Sequence, residues 1–293
     1  MKFSWSAKLG DATAKQVLTH HGVSHRMFTQ INQNNGQILV GEKLVKPATK
    51  VKPGDRVTLI VPAETADPNV PVSHQPLTVV YEDAHVLVVL KPAGLTSVPG
   101  PSNREDTLVN RVKGHLVAGQ EENLVPHIVT RLDRDTSGLV LVAKHRLANS
   151  WLNQQLADGR LQKRYLAIVS GNITTDHGMI DAPIRRATDG FNQIVADDGK
   201  SAQTEYWVRQ RGTGWTLVAV LLHTGRTHQI RVHFQSIGHP LLGDELYGGP
   251  RELIKRQALH AYQLTYEDPI TGAPRQFTAK MPADMAQVIQ RAN

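Results

Sequence analysis

The sequence predicts an α+β fold built on a large, mainly antiparallel sheet, with a small α/β unit ahead of it. Three observations carry that reading. Short β-branched runs recur from Leu77 onward, bounded by turn residues. Helical stretches are fewer and do not alternate strictly with the strands, which disfavours a doubly wound parallel sheet. Prolines at 62, 68, 71 and 76, with few large apolar residues between them, divide the chain in two. At 293 residues it is too long for one ordinary small domain and fits one large domain with an appendage.

Within residues 1–62 an apolar-spaced stretch, 12–20, is followed by the turn His21-Gly22-Val23. Ser24 then stands where it can cap a second short helix through Ile31. Residues 37–40, the turn Gly41-Glu42 and residues 43–45 read as a hairpin. Pro53-Gly54-Asp55 turns the chain into a strand over 56–61. Residues 63–76 form an extended, semi-rigid linker. In the large domain, residues 77–293, strands are expected over 77–81, 85–90, 139–143, 165–169, 204–209 and 215–222. Helices are expected over 107–117, 147–158 and 228–237, the last two with apolar residues spaced for one buried side. Helix, helix, hairpin and the Pro-Gly-Asp turn together resemble the S4-type RNA-binding domain.

Composition narrows the partners. No apolar run approaches the roughly 18 residues that span a bilayer, and no signal-like apolar region develops after Lys8 and Gly10. The absence of cysteine removes disulfides and thiolate chemistry, so the cytoplasm is the expected compartment. The net charge is +7, and residues 1–62 hold nine Lys/Arg against three acids while the rest is nearly balanced. Basic runs are commonly solvated faces, but an excess concentrated in one small unit points to an anionic partner, with nucleic acid the commonest.

Two stretches carry chemistry. Val129-Thr130-Arg131-Leu132-Asp133-Arg134-Asp135-Thr136-Ser137-Gly138 runs into the apolar strand, placing acids on a polar loop at a strand edge. Two acids at i and i+2 also make an Asx turn that satisfies its own backbone. A D-x-D-x-T phosphohydrolase frame is excluded, because Thr136 directly follows the second aspartate. The second stretch runs from His223 to Phe234. There Thr224-Gly225 turns the chain and Thr227 is suited to cap a helix from His228, so basic groups and backbone N–H donors converge where anions are favoured. His223, His228 and His233 are spaced by five, about 140° apart on a helix, which disfavours a shared metal.

Several further motifs occur in order: Lys91-Pro92-Ala93-Gly94-Leu95 after a strand, Lys163-Arg164-Tyr165, Gly199-Lys200-Ser201-Ala202 with Thr204 and Tyr206, Gly238-His239-Pro240-Leu241-Leu242-Gly243-Asp244, and Leu259-His260-Ala261. With the two stretches above they span about residues 77–280, and the series resembles the RluA/RluD-type RNA pseudouridine synthases. The resemblance implies a pseudouridine synthase fold and an Asp nucleophile at Asp133, because R-L-D-x-x-T-S-G matches from Arg131 to Gly138. It implies an active-site tyrosine at Tyr165, an active-site arginine at Arg231, and Arg131 as the side chain that enters the gap left by a flipped base. Many members read H-R-L-D, and this chain has Thr130 at the histidine.

The chemistry implied is isomerisation: the N1–C1′ bond breaks, the uracil turns while bound, and C5 joins C1′. It needs no metal and no cofactor, and no P-loop or dinucleotide fingerprint is present. The aspartate should be ionised, which a neighbouring arginine favours, and this argues against a two-carboxylate glycoside hydrolase. The base must leave its stack at a cost of roughly a few kcal/mol. Further RNA contacts are expected from Arg226, His228, Lys163, Arg26 and Lys43, on ribosomal large-subunit RNA or transfer RNA, by a monomer. The competing reading is a non-catalytic RNA-binding or ribosome-assembly factor, which would tolerate Asp133→Asn.

Overall fold

The computed structural model describes residues 1–8, 13–25, 27–29, 36–101, 103–188, 190 and 192–291. The small unit is a four-stranded antiparallel sheet with a helix on one face. Its elements are β1 (Lys2–Ser6), α1 (Ala14–His20), β2 (Gln37–Val40), β3 (Lys43–Leu44) and β4 (Arg56–Ile60), in the sheet order β1-β4-β2-β3. Thr13 and Gln16 close a reciprocal capping box on α1. Ser24 Oγ accepts from Met27 N at 3.3 Å; the helix expected through Ile31 runs beyond the described residues. Strand β1 was not expected. It pairs with β4 along its length and turns Phe3 inward.

The large unit continues with β5 (Thr78–Glu82), β6 (Val86–Lys91), α2 (Leu108–Ala118), β7 (His127–Ile128), β8 (Ser137–Ala143), α3 (Arg146–Ala157), β9 (Gln162–Ser170), β10 (His177–Asp181), β11 (Ile184–Arg186), β12 (Gln193–Val195), β13 (Gln203–Gly212), β14 (Trp215–Leu222), α4 (Gln229–Ser236), a 3-10 turn (Glu245–Tyr247), β15 (Leu259–Glu267), β16 (Pro274–Thr278) and α5 (Ala283–Arg291). The main sheet runs β10-β13-β14-β9-β15-β8-β6-β5, with β16 on β15 and β7 on β8. Its pairs are antiparallel except β15 with β8, so the fold is α+β on a mixed, mostly antiparallel sheet.

Alternation sorts the two faces. Leu87, Val89, Val140, Val142, Tyr165 and Val220 pack beneath α2 and α4, through Leu108, Val112, Ile230 and Phe234. Val86, Val88, Leu139 and Leu141 point the other way. There they share one continuous core with Leu147 and Trp151 of α3 and with Phe3, Leu18, Val57 and Leu59 of the small unit. The small unit therefore sits on the sheet face opposite α4. Trp151 makes the joint: its ring stands edge-on to Phe3 at 5.8 Å, and its Nε1 donates to His21 O at 2.7 Å. Gly22, at φ +82, passes so close to that indole that a Cβ would lie 2.4 Å from it, so glycine is required there twice over.

Residues 63–76 are held along their length. Asn110 Nδ2 donates to Pro71 O, and Lys113 Nζ donates to Asp67 O and Val70 O. Glu64 is buried and accepts from the Arg146 backbone N and Nη2, with His127 Nε2 at 3.1 Å. His127 and Arg146 together hold its carboxyl near 2 against the opposing effect of burial, the largest single influence. Among the described residues no helix is long and apolar enough to cross a membrane.

Candidate active site

The loop between β7 and β8 is fixed by groups from distant parts of the chain. Ser97 Oγ donates to Leu132 O at 2.6 Å and accepts from Leu132 N. Gln257 Nε2 donates to Thr136 Oγ1, Arg256 Nη1 to Asp135 O, and Ser137 Oγ pairs with His260 Nδ1 at 2.9 Å. Lys91 is fully buried, and its Nζ donates to Pro92 O, Leu95 O and Arg134 O at 2.6–2.9 Å. Burial pushes its pKa down to about 7, with Asp135 and Asp133 acting in the opposite sense. Three carbonyls match the three N–H bonds of an ammonium. Gly138, at φ +125, lets β15 approach: a Cβ there would meet Ala261 O at 2.3 Å.

So held, the loop presents Asp133 with its side chain 30% exposed. Arg231 Nη1 donates to Asp133 Oδ2 at 3.2 Å, and His228 Nε2 lies 4.0 Å from the same oxygen. Among the described residues Asp133 Oδ1 carries no hydrogen bond. Arg231 is itself anchored by buried Asp244, through Nε to Oδ2 at 2.7 Å and Nη2 to Oδ1 at 2.8 Å. Burial works against the charge on Arg231, but Asp244 and then Asp133 outweigh it and raise its pKa. The guanidinium carbon stands 4.9 Å from the ring centre of Tyr247. Burial lowers the pKa of His228, against the pull of Asp133. Chemically this is a carboxylate with one oxygen held by a fixed cation and the other available.

The start of α4 departs from the expected capping. The helix begins at Gln229, His228 adopts a left-handed conformation (φ 55), and Thr227 is exposed and does not cap it. No side chain caps the helix among the described residues; the carboxamide of Gln229 instead ties the preceding turn to β13. Its Oε1 accepts from Arg226 N and Thr224 Oγ1, and its Nε2 donates to Gln203 O and Thr204 Oγ1. Residue preferences favour threonine just before a helix, which is why Thr227 was the expected cap.

The other expected residues divide. Tyr165 is buried in the same core as Leu132 and Ile230, the immediate neighbours of Asp133 and Arg231. Lys163 Nζ stands 5.7 Å from the Tyr165 ring centre. Arg131 and Arg226 are exposed, the latter with Nε on Ser201 O at 2.9 Å. Lys43 is exposed on β3, in the small sheet and apart from this loop. Arg26 lies outside the described residues. Thr130, which stands where many family members have a histidine, is buried, and its Oγ1 accepts from Leu141 N at 2.9 Å. His223 pairs with Glu205 and buried His233 with Thr204 Oγ1 and Ala182 O, so the three histidines serve different partners. Tyr247 and the anchoring roles of Asp244 and Lys91 escaped the sequence reading. The glycines at 243 and 248 around Asp244 and Tyr247, both at positive φ, were the available signal of a tightly folded turn.

A family model described as RNA pseudouridylate synthase matches residues 85–236. The uncharacterized RNA pseudouridine synthase YjbO of Bacillus subtilis (strain 168) is 39% identical over 282 residues, covering 96% of this chain and 99% of that protein. The ribosomal large subunit pseudouridine synthase D of Zymomonas mobilis subsp. mobilis (strain ATCC 31821 / ZM4 / CP4) is 41% identical over 255 residues, 82% of this chain and 80% of that one. Among solved structures, human RNA pseudouridylate synthase domain containing 4 superposes with a TM-score of 0.60 at 21% identity, over 73% of this chain and 92% of that chain. That last likeness is one of fold.

Proposed function

The chain belongs to the RNA pseudouridylate synthase family, and from that premise we propose that Asp133 is the nucleophile with which it isomerises uridine in structured RNA. The protein is an isomerase that acts on RNA. The observation that carries the choice of nucleophile is the Arg231–Asp133 contact at 3.2 Å, made by an arginine that Asp244 holds rigid. A carboxylate attacking the ribosyl-uracil divides one difficult step into two easier ones. Tyr165 lines the site against the uracil, and exposed Arg131 fills the gap left when the base swings out. Lys163, Arg226 and His228 border the bound RNA. Residues 1–62, S4-like and bearing Lys43, Arg26 and most of the net positive charge, add phosphate contacts. Relatives named for the ribosomal large subunit favour that RNA over transfer RNA, and such a substrate puts the protein in the cytoplasm, where it works as a monomer.

The test is tritium release from large-subunit ribosomal RNA and bulk transfer RNA labelled at uridine C5, without added metal. Wild-type protein should release tritium and Asp133→Asn should not, with the responding RNA identifying the substrate class. Release by both proteins would remove Asp133 from the mechanism. Release by neither would leave an RNA-binding or ribosome-assembly role.

A further inference from the structure

We propose that Tyr247 is a positioning residue for Asp133: its hydroxyl fixes the tautomer of His228, its ring seats Arg231, and so one side chain sets both groups that address the carboxylate. The inference rests on Asp133 being the nucleophile.

The hydroxyl argument is one of hydrogen-bond accounting. Gln193 N donates to Tyr247 Oη at 3.0 Å, so that oxygen already accepts once. The partner among the described residues for its own hydrogen is His228 Nδ1, also at 3.0 Å. If His228 carried its proton on Nδ1, the tyrosine would accept twice and leave a buried O–H without an acceptor, a costly arrangement. The economical assignment has Tyr247 donating to Nδ1. The imidazole proton then sits on Nε2, the nitrogen that faces Asp133 Oδ2 at 4.0 Å. The two rings meet edge to face at 85° with centres 5.8 Å apart.

The ring argument is independent. Tyr247 is buried with Val232, Ala202 and Ile184, and its ring stands 4.9 Å from the guanidinium carbon of Arg231. Asp244 grips two of the guanidinium nitrogens from the same turn, leaving Nη1 for Asp133. The left-handed backbone of His228 brings its imidazole within reach of the hydroxyl at one end and the carboxylate at the other.

Two variants separate the hydroxyl from the ring. Tyr247→Phe keeps the ring and removes the O–H; it should lower kcat about tenfold with KM within about twofold. Tyr247→Leu removes both and should lower kcat by about a hundredfold. Imidazole nitrogen chemical shifts give a readout that does not pass through activity, with His228 assigned by comparison with His228→Gln. Wild type should show Nε2 protonated and Nδ1 bare above neutral pH, and Tyr247→Phe a mixture of tautomers. Asp133→Asn is measured alongside. If it retains release, the reading of the nucleophile fails. If it is inactive while Tyr247→Phe shows wild-type kcat and an unchanged His228 tautomer, the role given to Tyr247 fails alone. Should Tyr247→Leu not fold, the phenylalanine variant and the nitrogen shifts still decide.

Discussion

Arg231 faces two carboxylates of different standing. Asp244 is buried and meets it with two short hydrogen bonds, whereas Asp133 is partly exposed and meets it with one longer bond. The inner pair aims the guanidinium and the outer carboxylate uses it. Asp244→Asn should therefore lower kcat/KM for tritium release by about a hundredfold while leaving Asp133 chemically intact. Loss of one partner of a buried pair should also cost about 3–5 kcal/mol of stability by denaturant unfolding. Retained activity would show that Asp133 does not depend on this aim. At this scale the sequence was half legible. Asp133 and Arg231 lie 98 residues apart, yet each stands in a motif dense enough to single out. Asp244 was not legible as a partner, because its meaning lies in a side chain thirteen residues away and across a turn. Thr130 read as a missing histidine, when its hydroxyl serves the backbone of β8.

Helix α3 begins at an unusual cap. His145 Nδ1 accepts from Ala148 N, which leaves its Nε2 protonated and donating to His85 Nδ1 at 3.0 Å. Burial, and then His85, push the pKa of His145 down to about 3. The unfolded chain takes up this proton near 6.5 and the folded one does not, so stability is lost as pH falls from about 6.5 towards about 3. His260, pushed to about 4 chiefly by burial, acts in the same direction, and Glu64 adds a further loss between about 4.5 and about 2. Melting temperature should fall between pH 7 and pH 4.5. His145→Asn, which caps without titrating there, should shrink that fall, and an equal fall in both proteins would rule out His145 as a source. Elements were legible where one periodicity ran their whole length, as in β14, whose bounds agree with the sequence reading residue for residue. Strand β15 was not. Its odd positions, Leu259 and Ala261, are buried on one face at its start, and its even positions, Leu264 and Tyr266, on the other face at its end, so alternation cancels over the window.

At the level of the whole molecule, the small sheet and the large one share a core on the face away from Asp133. Charge distribution made residues 1–62 stand out, but no sequence pattern could say which face of the large sheet they cover. Trp151→Ala removes the main joint and should cost about 3–5 kcal/mol. Hydrogen exchange should then show β1 to β4 opening at lower free energy than β6 and β8, whereas wild type protects both sets together. Equal loss of protection in both sets would mean that the two sheets unfold as one even without the tryptophan. The Phe3–Trp151 contact joins residues 148 positions apart, which sets a clock on synthesis. At roughly 5–20 residues per second, the aromatic face that includes Phe3 waits on the order of ten seconds before α3 is made to cover it. For that interval the growing chain carries an uncovered apolar surface that a chaperone, or a neighbouring nascent chain, can reach.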